Sequence, residues 1–237
     1  MEAKEVLKTI ANNKHNYSTI HYSCQSICGT GLIPKITSIA ISNIHTWQAE
    51  SFSIHISAHS LKISPEDIPE NYDKVEADML RRYFEYLKTS EETQFVHWNM
   101  RDCDYGFHAI ELRGRLLCPD AVFKLPNERK VDLSRLITKL YGQELEFKSL
   151  IEYNYPLPRY FMEGKEEAIA FDKGEYVRLY QSTSIKAVNI SKLLDLAINR
   201  ELKTNATISR TSEYVRLILW ILSILVGGFL VSLPFIN

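Results

Sequence analysis

The sequence predicts an α/β (α+β) domain built on a mixed sheet with flanking helices, followed by one C-terminal transmembrane helix. Three β-like segments precede the first amphipathic helix, a fourth follows it, and the rest of the domain has the pattern of helices. The chain of 237 residues is 45% hydrophobic and 24% charged. That is enough for one globular domain with a sizeable core and an appendage.

The three β-like segments lie at residues 18–27, 35–41 and 51–56, where β-branched and apolar side chains alternate or run together. The connection of roughly ten residues between the second and the third suits an antiparallel hairpin with a longer loop. We therefore expect an antiparallel three-strand unit. A fourth strand is expected at residues 94–98, beside the first.

The first long helix follows the motif SPED at residues 64–67, which offers a capping serine, a proline at the first helical position and an acid at the third. Beyond this motif, apolar residues recur at helical spacing, which predicts a helix that packs on the core. These residues are Tyr72, Val75, Met79, Leu80, Tyr83, Phe84 and Leu87. Further helices are expected at residues 105–117, 131–142, 144–154 and 175–202.

Residues 217–236 form an uncharged run of 20 residues at the end of the chain. A helix of that length is about 30 Å long, which matches the hydrocarbon core of a bilayer. A buried core helix is the alternative, but such helices are usually shorter and carry a polar stripe. Lys203, Arg210 and Arg216 precede the run, and this positive charge predicts that the larger domain stays in the cytoplasm.

The chain is therefore expected to be tail-anchored. It would have a cytoplasmic domain at residues 1–202, a polar tether at residues 203–216 and a transmembrane helix at residues 217–236. Gly227 and Gly228, with the serines of the span, would let two spans approach closely, although no GxxxG motif is present. The membrane is thus an expected partner, and homo-oligomerisation is left open.

Charge and cysteine content argue against some classes of function. The net charge of −1 does not support a large basic surface for nucleic acid, although a local patch is compatible with it. The four cysteines do not resemble a disulfide-dense secreted scaffold, and the CxxxC of Cys24 and Cys28 is a weak zinc signal. The seven histidines show no metal-ligand spacing. We expect reduced thiols in the cytosol.

Four short phrases carry polar residues within or next to the predicted strands and helices. They are SCQS at residues 23–26, HWNMRDCD at residues 97–104, VDLSRL at residues 131–136 and YQSTSIKAVN at residues 180–189. Together with the order of three strands, helix, strand and helices, they resemble the RNase H-like fold of the DEDD family of 3′-5′ exonucleases. The resemblance covers roughly residues 17–200.

The resemblance implies a role for each matching position in the first two phrases. Ser23 stands where the family has the aspartate of the first strand, and Gln25 stands where it has the glutamate. Asn99 matches the asparagine of the second motif, with Asp102 or Asp104 as its acid. The first-strand carboxylates of the family are therefore missing here.

The other two phrases match in part. Asp132 resembles the aspartate that often opens the following helix in the family and is not normally a metal ligand. Tyr180 matches the aromatic residue of the last motif, but Ser184 and its neighbours up to Lys186 offer no carboxylate. Three of the four acids of the family motif are thus absent, and the catalytic site is expected to be degenerate.

The loss of these acids bears on cofactors. The family's reaction uses two divalent ions about 4 Å apart, and carboxylates hold hard cations such as Mg²⁺. Serine and glutamine carry no negative charge, and Lys186 would repel an ion. We therefore expect no metal and no other cofactor. An active site would need Mg²⁺ or Mn²⁺.

Arginines near the second motif are candidates for ligand binding. Arg101, Arg113 and Arg115 are expected to line a groove if the old substrate site still binds a ligand. The alternative is that residues 111–115 form a solvated helix face. Asp102 and Asp104 likewise have an alternative role, as caps of a loop or a helix.

Two functions are compatible with these expectations. The first is a non-catalytic exonuclease-like module, a pseudoenzyme, that binds a nucleic acid, a nucleotide or a protein partner and signals at the membrane. A bacterial antiviral defence effector and a membrane adaptor both fit that description. The second is an active metal-dependent 3′-5′ exonuclease tethered to the membrane. It would use Asp102, Asp104 and Asp132, with Glu50 as a further acid.

Geometry separates the two functions, because fold analogy alone cannot choose between them. A nuclease needs at least three carboxylates in one pocket. A degenerate site predicts instead that Ser23, Gln25, Asp102 or Asp104 and the helix near Ser184 meet in one shallow pocket with a single acid.

Overall fold

Five strands form one mixed sheet, with helices packed on both of its faces, in the computed structural model. The structure describes residues 2–25, 33–100, 105–142 and 144–207, together with 217, 218 and 221. The strands are β1 (Tyr17–Cys24), β2 (Ile36–Asn43), β3 (Ala49–Ser53), β4 (Gln94–His97) and β5 (Lys130–Asp132). The helices are α1 (Ala3–Asn12), α2 (Ile54–Ser60), α3 (Tyr72–Thr89), α4 (Phe107–Leu117), α5 (Leu133–Tyr141), α6 (Phe147–Asn154), α7 (Gly164–Asp172) and α8 (Tyr176–Asn199).

The strand order of the sheet is β3-β2-β1-β4-β5. β1, β2 and β3 pair antiparallel, with Ile20 opposite Ile41. β4 and β5 run parallel to β1, and His97 pairs with Ile20 on one side and Asp132 on the other. The predicted three-strand unit and the place of the fourth strand beside the first are confirmed. The sequence does not predict β5, because three residues are too few to show an alternating pattern.

One face of the sheet carries the hydrophobic core. Ile20 and Tyr22 of β1 point to this face and belong to one buried cluster with the apolar stripe of α3. The seven α3 residues that the sequence assigns to the core are each at most 3% exposed. α4 also lies close to α3, since a Cβ atom at Gly114 would come within 2.4 Å of the Phe84 ring.

The opposite face of the sheet is polar and is covered by α8. Thr19 of β1 hydrogen-bonds Ser191 of α8 (2.7 Å between the hydroxyl oxygens), and Ser38 of β2 hydrogen-bonds Thr183 (2.6 Å). These residues are all at most 2% exposed. Buried hydroxyls are costly unless they are paired, so this directional network fixes where α8 lies on the sheet.

The direction of α8 follows from the same contacts. Thr183 near its start lies against Ser23 at the carboxyl end of β1, whereas Ser191 lies against Thr19 near the amino end. α8 therefore runs antiparallel to β1. Its 24 residues span about 36 Å, so the chain leaves the helix at the sheet edge opposite the carboxyl ends of β1, β4 and β5.

The structure corrects two expected boundaries. The segment at residues 51–56 stops being a strand at Ser53, and α2 begins at Ile54. Ile54, Ser57 and Ala58 are buried at helical spacing, so the apparent alternation continues into a helix. The SPED motif forms a 3₁₀ turn at Pro65–Asp67, and α3 begins at Tyr72.

Besides α2, two helices among the described residues have no counterpart in the sequence prediction. α1 and α7 each begin with a capping box, formed by Glu2 with Glu5 and by Glu163 with Glu166. The capping-box rule usually names serine or threonine at the first position, and glutamate there gives a weaker signal. α7 matters most, because it supplies a carboxylate to the site described below.

The chain divides into two units, Met1–Glu201 and Leu202–Asn237. In the second unit, Thr204 and Thr207 hydrogen-bond each other through main chain and side chain. Within the described part of the chain, no helix is both long and apolar enough to cross a membrane. The predicted span at residues 217–236 lies outside the described residues, apart from Leu217, Ile218 and Ile221.

Candidate functional site

The carboxyl ends of β1, β4 and β5 meet at one edge of the sheet, because these strands are parallel. Ligands of open α/β sheets bind outside the carboxyl ends of the strands. Ser23 lies at this end of β1, Asn99 follows β4, and Asp132 ends β5. The edge thus brings together residues from three of the phrases that the sequence singles out.

A buried hydroxyl network lies at the end of β1. Ser23 is 1% exposed, and its Oγ lies 2.7 Å from Thr183 Oγ1 and 3.1 Å from Glu167 Oε1. Ser38 lies 2.6 Å from the same Thr183 hydroxyl. Strands β1 and β2 and helices α7 and α8 each supply a member. We call this group, with Ser182 and Lys186, the Ser23 cluster.

An ion pair closes the Ser23 cluster. Lys186 Nζ donates to Glu167 Oε1 at 2.7 Å, and the two side chains are 8% and 11% exposed. Ser182 Oγ also donates to this oxygen, at 2.9 Å. The Lys186 ammonium lies 5.3 Å from the centre of the Phe161 ring. Each charge therefore has a partner inside the protein, which is the condition for burying an ion pair.

His21 shares the polar face of the sheet with Ser23. Burial, and then the positive charge of Lys186, hold the pKa of His21 well below its ordinary value, so the ring is neutral at physiological pH. The ring stacks on Phe147 at 6.4 Å between centroids, and Trp98 packs against the same phenylalanine. Among the described residues, His21 Nδ1 has no hydrogen-bond partner.

A second buried carboxylate lies near the end of β1, on the other face of the sheet. Glu76 of α3 is fully buried and accepts the main-chain N–H of Ile36 at 2.7 Å. Arg113 of α4 binds it at 2.7 Å and also reaches Asp73 at 2.5 Å. Burial raises the pKa of the Cys24 thiol to about 12, with Glu167 and then Glu76 adding to the effect of burial. Glu167 and Glu76 are the two carboxylates near Cys24, and each is paired with a cation inside the protein. Lys186 pairs with Glu167, and Arg113 pairs with Glu76.

The donor set of the Ser23 cluster does not fit a two-metal site. Such a site needs several carboxylates to hold hard cations, and the cluster offers hydroxyls and one carboxylate, Glu167. The Lys186 ammonium already takes the place that a cation would have on that carboxylate. Within the described ranges, no three His, Cys, Asp or Glu side chains are grouped in a way that could hold a metal ion.

Of the predicted first- and last-motif residues, Ser23 lies in the cluster, and the described contacts of Gln25 and Tyr180 lie outside it. Thr183, one residue before Ser184, makes the contact to Ser23, while Ser184 Oγ is buried without a partner in the described part. Tyr180 packs instead on His55 of α2, at 5.0 Å between ring centroids. Gln25 donates its main-chain N–H to Lys35 O at 2.8 Å.

Asn99 and Asp132 meet at the ends of β4 and β5. Asn99 has a left-handed backbone (φ 52°), and its N–H donates to Asp132 Oδ1 at 3.4 Å. Asp132 also accepts the N–H of Arg135 and so opens α5, as its sequence position predicts. β3, which carries Glu50, and β5, which carries Asp132, are the two outermost strands of the sheet. They are four strand spacings apart, about 19 Å, so Glu50 and Asp132 do not share a pocket.

Of the three arginines predicted to line a groove, the structure describes Arg113 and Arg115. Arg113 and Glu111 are each 6% exposed, so residues 111–115 are not a solvated helix face, and Arg113 is engaged by Glu76 between α3 and α4. Arg115 is exposed. Arg101, Asp102 and Asp104 lie outside the described residues.

The sequence does not predict the roles of Glu167, Thr183 and Lys186 in the cluster. Glu167 belongs to a short helix that begins with other glutamates, a pattern typical of a solvated surface. Lys186 is identifiable only as a charge near the last motif. The acid of the cluster is Glu167, which is buried. The acid expected for the degenerate site was Asp102 or Asp104, and both lie outside the described residues.

The fold and the site define this chain as a mixed α/β protein whose sheet edge is closed by an internal ion pair. No protein-family model, no curated protein and no solved structure matches the chain.

Proposed function

We propose that this chain is a non-catalytic, RNase H-like module of the DEDD exonuclease type, held at a membrane by its C-terminal segment, and that it acts by binding a partner. The buried pair of Glu167 and Lys186 beneath Ser23 carries this proposal. A carboxylate already neutralised by an ammonium 2.7 Å away gives little attraction to a divalent ion.

The sheet supports the RNase H-like part of the proposal. An antiparallel unit of three strands with a fourth strand beside the first is the arrangement expected from the resemblance. The resemblance also requires the first-strand motif and the last-helix motif to meet. The contact of 2.7 Å between the hydroxyls of Ser23 and Thr183 agrees with that requirement.

The uncharged C-terminal run at residues 217–236 supports the membrane part. The positive flank of this predicted span is expected to keep the larger domain, and any partner that it binds, in the cytoplasm. This arrangement suits an effector that couples binding to a response at the membrane, as in antiviral defence.

A nuclease assay tests the proposal. The full chain, purified in a mild detergent, is incubated with single-stranded DNA and RNA and with Mg²⁺ or Mn²⁺. We expect no metal-dependent degradation, and the same result for Glu167→Gln and Asp132→Asn. Degradation that the wild type shows and that Glu167→Gln or Asp132→Asn abolishes would reject the proposal in favour of a tethered exonuclease.

A further inference from the structure

A cavity of about 320 Å³ lies outside the carboxyl ends of β4 and β5, against α4 and the start of α5. Its floor is made by the buried side chains of His97, Met100 and Phe107. Its rim is polar. The rim residues are His108, Asn127, Lys130, Asp132 and Arg135.

This cavity is distinct from the Ser23 cluster. It shares no residue with the cluster, and its floor residue His97 pairs with Ile20 in the sheet. Ile20 points to the face opposite Ser23, because successive residues of a strand alternate between faces. Met100 N donates to His97 Nδ1 at 3.1 Å, which fixes the ring in the floor.

Lys130 places a half-buried positive charge at the rim of the cavity. Burial lowers the pKa of its ammonium group, and the charge lies 4.9 Å from the centre of the Phe107 ring. Its hydrogen bond, to Asn127 Oδ1, is long at 3.4 Å. Among the described residues no carboxylate lies within ion-pair distance of Lys130. The carboxylates of Glu111 and Glu128 act on Lys130 at longer range and raise its pKa, which offsets part of the effect of burial. An anion bound directly beside this half-buried cation would stabilise it further.

Arg135 supplies a second cation at the rim. Its guanidinium is 65% exposed and lies 3.9 Å from Asp132 Oδ2, a loose contact that leaves most of its donors to solvent. A guanidinium presents paired N–H donors that match the oxygens of a phosphate. Among the described residues that line this rim, the cations Lys130 and Arg135 outweigh one carboxylate, that of Asp132.

We propose that this cavity binds a small phosphorylated ligand of up to mononucleotide size, with Lys130 and Arg135 at the phosphate and Met100 and Phe107 against its apolar part. The volume lies at the lower end of the range for small-molecule pockets. The inference rests on the proposed binding function and names the chemistry of the ligand.

Calorimetric titration of the full chain in detergent tests the site with defined probes. They are inorganic phosphate, 5′-AMP, adenosine, citrate and a 5′-phosphorylated oligonucleotide. We expect 5′-AMP to bind more tightly than inorganic phosphate, and adenosine and citrate to give no binding. Tighter binding of citrate than of 5′-AMP, or equal binding of adenosine, would overturn the phosphate assignment. Binding of the oligonucleotide and not of 5′-AMP would overturn the size assignment.

Two variants locate the binding. Lys130→Gln and Arg135→Gln should each weaken 5′-AMP binding about tenfold or more, since each removes a charge-assisted contact. Arg178→Gln, which removes an exposed arginine of α8 paired with Glu175, should leave it unchanged. Arg135 is mostly exposed, so its substitution keeps the test valid if Lys130→Gln fails to fold. Unchanged binding in Arg135→Gln would place the ligand elsewhere and overturn the proposal.

The titration and the nuclease assay together distinguish failure of the cavity proposal from failure of the proposed function. A chain that binds none of the phosphorylated probes and cleaves no nucleic acid overturns the cavity proposal and leaves the non-catalytic module standing. A chain that cleaves nucleic acid in a Glu167-dependent manner overturns the proposed function, whatever the titration shows.

Discussion

The ammonium of Lys186 lies 2.7 Å from Glu167 Oε1, and both side chains are almost fully buried at the carboxyl end of β1. Ser23 and Ser182 donate to the same carboxylate oxygen, at 3.1 Å and 2.9 Å. One oxygen of Glu167 thus joins β1, α7 and α8. The pair therefore holds together the elements around the carboxyl end of β1.

Breaking this pair from one side should destabilise the domain strongly. Glu167→Gln leaves the Lys186 charge buried without a partner, and we expect a loss of about 3–5 kcal/mol in the free energy of unfolding. Lys186→Met should cost a similar amount. The double variant should cost much less than the sum, because it removes both charges together. Denaturant melts of the full chain in detergent measure all three, and strictly additive losses would show that the two charges are not coupled.

His21 should make stability depend on pH. Its folded pKa lies well below the ordinary value because of burial and the nearby Lys186 charge, while the unfolded chain takes up this proton near pH 6.5. The unfolded state therefore binds more protons below that pH, and stability falls as the pH falls, by up to about 1.4 kcal/mol per pH unit.

The matched variants isolate the contribution of His21. His21→Gln carries no titrating ring and should lose less stability than the wild type between pH 7 and pH 5. His59→Gln, on the exposed side of α2, should keep the wild-type pH dependence. An identical pH profile for His21→Gln and the wild type would mean that His21 is protonated as readily in the folded state as in the unfolded state.

Gly114 should tolerate no side chain. A Cβ atom there would lie 2.4 Å from the Phe84 ring, and Gly114→Ala should therefore destabilise the domain by about 1–3 kcal/mol through overpacking. Gly164 is the matched control, because a Cβ atom there meets nothing within 4 Å. Thermal melts compare the two variants. A Gly114→Ala melt that matches Gly164→Ala would show that α3 and α4 are not packed this closely.

Thr183, and not Ser184, should carry the contact between α8 and β1. Thr183→Val keeps the shape but removes the hydroxyl that Ser23 and Ser38 contact, at an expected cost of about 1–3 kcal/mol. Ser184→Ala removes a buried oxygen that has no partner in the described part and should change stability by about 0.5 kcal/mol or less. The reverse order of effects would mean that α8 is rotated from the position described here.

The predicted C-terminal anchor is tested by fractionation. We expect the full chain to remain with membranes after alkaline carbonate extraction, because 20 uncharged residues are long enough to span a bilayer. A chain ending at Thr204 should stay in the supernatant and keep the near-ultraviolet circular dichroism of a folded domain. A full chain that is soluble without detergent would remove the membrane part of the proposal.

The sequence predicts the sheet better than it predicts the site. β1, β2 and α3 carry long periodic patterns, so their order and the core face of α3 can be derived from the residues alone. Glu167 and Lys186 lie 19 residues apart on separate helices, and their contact depends on how α7 folds back on α8. No local pattern reports such a contact, because an isolated glutamate or lysine is typical of solvated surface.

Arg113 is a second residue whose burial cannot be predicted from the local sequence. The phrase ELRGR has the composition of a solvated helix, yet Arg113 is 6% exposed. It is buried because Glu76 lies within the apolar stripe of α3 and needs a cation across the interface. A buried charge can be predicted only together with its partner, and the partners here lie 37 residues apart.

Binding of Mn²⁺ to the full chain, followed by electron paramagnetic resonance, shows whether the Ser23 cluster can hold a metal ion. We expect the wild type and Glu167→Gln to show the same weak, nonspecific binding, because Lys186 already neutralises the carboxylate of the Ser23 cluster. Tight binding of two Mn²⁺ ions to the wild type that is lost in Glu167→Gln would contradict this expectation. That result would mean that the ion displaces Lys186 and that the site is a working metal centre.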